Sequence, residues 1–184
     1  MMGEELSNYL RNLSMISVHD LAGYIVQWHL KWGEPDVNTM KLHKLSYLCQ
    51  AYSLAWRGER MFSEDIRAAT SGPIVDELFQ HHKGLYGASS WPEGSPANLS
   101  EADRIVADSV MKTYRAWTGL SMSNMLLETY PWEKTWEKHT DEDPTPVFDL
   151  TMVKGYYMAL SDAPKTREEY AVRFMDKYLE QSEK

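Results

Sequence analysis

The chain has 184 residues, 43% of them hydrophobic, with 7 Trp and 11 Tyr, which is enough apolar material for one packed domain and excludes a disordered or low-complexity chain. A formal net charge of -8 argues against nonspecific binding to nucleic acid or an anionic membrane, since both need local positive potential, and in favour of a basic partner. The single cysteine, Cys49, rules out an internal disulfide and fits a reducing cytoplasm, and no window approaches the roughly twenty apolar residues of a membrane span.

In chain order, Glu4 to Leu13 places Leu6, Tyr9, Leu10 and Leu13 on one helical stripe. So short a helix is marginal alone, and it docks on its own domain or on a partner. Ser17 and Asp20 have the spacing of a capping box, and Val18, Leu21, Ala22, Ile25 and His29 form the inward face of a helix ending near Gly33-Glu34-Pro35. Asn38 or Thr39 caps the next helix. There Leu42, Leu45, Cys49, Tyr52 and Trp56 recur at helical spacing, Met40, Leu48 and Ala55 widen the same face, and Gly58 stands past the end. Cys49 on this face is a small buried hydrophobe. Met61-Phe62 and Ile66 to Ala69 flank a polar Ser63-Glu64-Asp65 turn and are expected to pair as a hairpin. Gly72 is expected in a backbone geometry that a Cβ would hinder, with Pro73 at the first position of a helix running through Ile74, Val75, Leu78, Phe79 and His82 to Gly84.

Leu85 to Asn98 is a loop rich in Gly, Ser and Pro that carries Tyr86 and Trp91. Ser100 and Asp103 open another helix, with Val106, Val110, Thr113, Tyr114 and Trp117 on its core side as far as Gly119. Ser121 is expected to cap the following one, with Met122, Met125 and Leu126 inward and Pro131 beyond its end. Trp132 and Trp136 then share one side of a turn, ahead of an acidic loop from Asp141 to Pro146. Two helices finish the chain: Thr151 to Leu160, with Val153, Tyr156, Tyr157 and Leu160 apolar, and Glu168 to Glu180, with Tyr170, Phe174, Met175, Tyr178 and Leu179. The expected fold is mainly α, a compact single-domain helical bundle with one small β-hairpin. Its parts are an N-terminal helical extension (1–16), the domain itself (17–160) and a C-terminal amphipathic helix (161–184) packed on or extending it.

His81 and His82 are adjacent and point in different directions on a helix, and neither CxxC nor HExxH occurs, so no metal site is expected. His139 beside Asp141, Glu142 and Asp143 belongs to a solvated acidic loop. Neither phosphate-cradling glycine motif is present, and no cofactor is expected. A Ser, His and Asp set assembled from distant residues is the catalytic alternative; the expectation is that the protein is not an enzyme.

Lys41-Leu42-x-Lys44-Leu45-x-Tyr47-x-x-Gln50-Ala51, the Gly58 turn, Phe62 with Ile66 and Ala68, Gly72-Pro73-Ile74-Val75 and Pro131-Trp132 follow one another in the chain. In order and spacing they resemble the Panacea domain, a family that includes SocA-like antitoxins and phage-associated proteins. The resemblance spans Ser17 to Leu160. It implies an antitoxin that neutralises a cognate toxin by direct protein–protein contact. The alternatives are a phage-associated accessory protein, a protease adaptor, or an enzyme with an unrecognised site. In that light Lys41, Lys44, Gln50, Gly72 and Pro73 form a structural motif, the two lysines holding the hairpin and the Gly-Pro turn. Tyr86, Trp91, Trp132 and Trp136 are the candidate partner-binding residues, because Trp and Tyr dominate interface hot spots. The partner implied is a cognate toxin, basic if charge steers the encounter; nucleic acid and membrane are not expected, and a homodimer is compatible. The two terminal amphipathic stripes are expected to share in the toxin interface.

Overall fold

A computed structural model describes residues 15–34 and 37–160. The helices expected over Glu4 to Leu13 and Glu168 to Glu180 lie outside the described residues, as does Pro35. Within them the elements run α1 (Val18–Lys31), β1 (Val37–Asn38), α2 (Thr39–Arg57), β2 (Ile66–Ala69), β3 (Gly72–Val75), α3 (Asp76–His82) and β4 (Gly87–Ala88). A 3-10 turn at Pro96–Asn98 leads to α4 (Glu101–Thr113), α5 (Gly119–Leu127), α6 (Tyr130–Trp136) and α7 (Leu150–Leu160). The protein is mainly α, as expected.

The capping residues act where local chemistry puts them. Ser17 and Asp20 close a capping box on α1, and the second oxygen of Asp20 accepts from Ser95 N at 2.7 Å and Asn98 Nδ2 at 3.1 Å, tying the 3-10 turn to the start of α1. Ser100 and Asp103 do the same for α4, and Asp103 also takes Arg57 Nη1 at 2.6 Å. Asn38, the first of the two expected caps, accepts from Met40 N and Lys41 N. At α1 and α4 the capping carboxylates link the helix start to a distant segment as well as satisfying its own N–H groups.

The centre of the protein is α2. Every residue from Lys41 to Leu54 is buried, because α1, α4, α5, α7 and β3 all pack around it. Leu21, Ile25, Leu42, Leu45, Leu48, Val106, Val110, Met122 and Leu126 meet in one core, and Tyr47, Tyr52 and Tyr157 join α7 to it through ring contacts. A helix enclosed on all sides has no solvent face for its polar residues, so these must find partners inside.

Three local expectations are corrected. Met61 and Phe62 do not pair with β2; that strand pairs antiparallel with β3, Ile66 opposite Val75 and Ala69 opposite Gly72. The reason is competition: Gln50 takes the N–H groups of Met61 and Phe62 and the carbonyl of Phe62, while Met61 O accepts from Ile16 N. Nor does Pro73 open a helix. It lies in β3 opposite Ala68, whose N–H turns away to Pro146 O at 2.9 Å, so the missing proline N–H leaves that rung intact. The helix starts three residues later, at Asp76. Finally, Thr118 rather than Ser121 caps α5, accepting from Ser121 N at 3.0 Å. Gly119 is the first residue of that helix, because a Cβ there would stand 2.8 Å from Lys41 N. A second small sheet, β1 with β4, was not foreseen.

Candidate functional site

The motif residues meet between α2 and the segment 59–75. Gln50 Nε2 donates to Phe62 O at 2.8 Å, and its Oε1 accepts from Met61 N at 2.7 Å and Phe62 N at 3.3 Å. Lys44, 1% exposed, donates from Nζ to Pro73 O at 3.0 Å. Burial holds its ammonium down from the ordinary lysine range to about 7. Gly72 sits over it with φ 93°, and the position of a Cβ there is 3.5 Å from Lys44 Nζ. Lys41 donates to Arg115 O at 2.8 Å and stands 4.0 Å from Glu34, so it holds the end of α4 rather than the hairpin. Burial lowers its pKa as well.

His43 completes this set and was not singled out from the sequence. Its Nδ1 accepts from Val75 N at 3.0 Å, so the proton of the neutral ring sits on Nε2 and is donated to His82 Nε2, 2.6 Å away. Burial, then the His82 and Lys44 charges, push the His43 pKa down to about 3, and the ring is neutral at ordinary pH. The pointer was available in principle: His43, Ser46, Gln50 and Ser53 recur at three- and four-residue intervals, a polar stripe on a helix that is otherwise apolar on its inward side. Here His43, Lys44 and Gln50 fasten backbone, Ser53 Oγ likewise donates to Glu59 O, and Ser46 Oγ is buried with no hydrogen-bond partner among the described residues.

The four aromatic candidates stand in three places. Tyr86 is 91% exposed, its carbonyl accepting from Thr39 N. Exposed Leu85 lies beside it in sequence, and exposed Leu120 follows the glycine that rests on the first turn of α2. Trp91 is 7% exposed; its Nε1 donates to His19 Nδ1 at 3.1 Å, and its ring packs against His19 and His81. Trp132 and Trp136 are half-buried and stacked, ring centres 5.5 Å apart, with Trp132 Nε1 donating to Ala69 O. His139 stacks on the far side of Trp136. Among the described residues no group of three or more His, Cys, Asp or Glu is placed to hold a metal ion, and no helix is long and apolar enough to cross a membrane.

A family model described as antitoxin SocA-like, Panacea domain, matches residues 42–133, half of the chain. The matched segment runs from within α2 to within α6 and contains His43, Lys44, Gln50, Gly72 and Pro73, with Tyr86, Trp91 and Trp132; α1 and α7 lie outside it. No curated protein and no solved structure matches the chain.

Proposed function

The chain belongs to the SocA-like antitoxin family of Panacea domains, and from that premise we propose that it neutralises a cognate toxin by direct, stoichiometric binding. The observation that supports this reading is the content of the matched segment, which includes the buried polar set of α2 together with exposed Tyr86, half-buried Trp132 and buried Trp91. The mechanism is occlusion: the antitoxin covers the toxin's active site or substrate entry, and none of its own residues has to do chemistry. A net charge of -8 draws a basic toxin in, and aromatic and apolar side chains hold it. Tyr86 with Leu85 and Leu120 is one anchor group, Trp132 with Trp136 another, and Trp91 contributes from the edge of a cleft on α1. Lys41, Lys44, Gln50, Gly72 and Pro73 act as scaffold.

The test is to express the product of the adjacent reading frame with and without this protein. Growth arrest by that product alone, rescue on co-expression and a stable complex of the two purified chains are expected. Absence of both rescue and binding rejects the antitoxin reading for that pair.

A further inference from the structure

Two clefts flank the outward side of α1 and meet at the exposed residue Gln27. The first, about 510 Å³, lies between α1 and α4, with Tyr24, Trp28 and Trp32 as its aromatic walls and Lys31, Arg104 and Lys112 as its cations. The second, about 390 Å³, is largely apolar, lined by Val26, Leu30, Trp91, Pro92 and Pro96. Both volumes lie in the range of real binding clefts. Large apolar side chains stand open at each: Trp32 in the first and Leu30 in the second, both 45% exposed.

The charge of the first cleft runs against that of the molecule. In a chain of net charge -8 it gathers three cations against one carboxylate, Asp108, which accepts from Tyr24 Oη at 2.7 Å. Arg57, Arg67, Arg115 and Lys134 all stand beside carboxylates. Lys31 and Lys112 are exposed, and no carboxylate of the described residues pairs with either. Each lies in the last turn of its helix, where a cation complements the dipole. That accounts for one lysine per helix end. It does not account for the convergence of the two on one aromatic-walled cleft that continues into an apolar one, beside an Arg104 held by Leu99 O and Pro96 O.

We infer that α1 and α4 form the docking surface for an acidic segment of the toxin, its apolar side chains on Leu30, Pro92 and Pro96 and its carboxylates among Lys31, Arg104 and Lys112. The inference rests on the antitoxin reading. Continuity across Gln27 favours a polypeptide over a small molecule, which would fill one cleft and leave the other empty. The site joins α4, which lies within the family match, to α1, which lies outside it. A toxin basic overall but carrying one acidic segment satisfies both the field of the whole chain and this cleft.

The experiment measures binding of the adjacent reading frame's product to the full chain, to Lys31→Glu/Lys112→Glu, and to Lys138→Glu/Lys154→Glu. The last makes the same change in net charge at residues lining neither cleft. The cleft variant should bind at least about tenfold more weakly than the control variant, with the difference shrinking as salt is raised. Gln27→Trp, which blocks the junction without changing charge, should also weaken binding, and matched melting temperatures establish that all variants fold. Equal binding by the cleft and control variants overturns the docking inference and leaves the antitoxin reading standing. No binding by the intact chain overturns both. ATP bound by the intact chain and lost from the cleft variant, with toxin binding unchanged, would assign the cleft to a nucleotide and overturn the inference too.

Discussion

Along α2, His43, Lys44, Gln50 and Ser53 are buried, and each is bonded to backbone between residues 59 and 75. In the cleft between α1 and α4, Lys31 and Lys112 stand in solvent, and neither is ion-paired with a carboxylate of the described residues. The difference separates scaffold from surface. A polar group taken out of water must be bonded or it destabilises the fold, so the α2 set fixes geometry and cannot be spared for a partner. An exposed cation contributes little to stability and keeps its charge for whatever docks.

Gln50→Ala is the strongest way to break the α2 side of this contrast, because it strands the N–H groups of Met61 and Phe62 together and leaves the carbonyl of Phe62 only its bond from Arg60 Nε. The expected loss is about 3–5 kcal/mol, read as a lower urea midpoint at constant slope. Gly72→Val comes next, at about 1–3 kcal/mol. A Cβ at Gly72 has ordinary contact with Lys44, so the cost lies in the φ of 93°, and an unchanged melting temperature would contradict it.

Lys44→Met tests burial through pH. The folded pKa of about 7 lies below the ordinary 10.5. Between those values the unfolded chain holds a proton that the folded chain has released, so this lysine makes stability rise with pH from about 7 towards 10.5 and leaves it flat below. The wild type should therefore gain on Lys44→Met between pH 7 and pH 9. At pH 7 itself the two should differ by about 1 kcal/mol or less, since an apolar replacement of a buried charge is often neutral. Parallel pH profiles would show that the ammonium is not desolvated, and lost toxin binding at unchanged stability would move Lys44 into the interface. The smallest effect belongs to the cleft: Lys31→Gln/Lys112→Gln should shift stability by no more than about 0.5 kcal/mol, and a larger drop on thermal unfolding would mean these lysines are structural after all.

The features legible in the chain are those that depend on near neighbours. The capping boxes at Ser17 and Ser100, the stop at Gly58 and the apolar spacing of α1, α2, α4 and α7 all follow from contacts a few residues apart, and the structure has them. The motif residues could likewise be named, but not what each of them holds. Tertiary structure alone decided the strand pairing, because the N–H groups of Met61 and Phe62 had two suitors and Gln50, brought close by the packing of α2, took them from β2. It decided the placing of Pro73 too, since the N–H of Ala68 opposite finds Pro146 from a remote loop. The same holds for the His43–His82 pair and for the convergence of Lys31 with Lys112, whose helices are far apart in the chain and adjacent only once folded. Periodicity reports which side of an element is apolar, whereas the partner of a given polar group is settled by whichever donors and acceptors the packed core brings within about 3 Å of it.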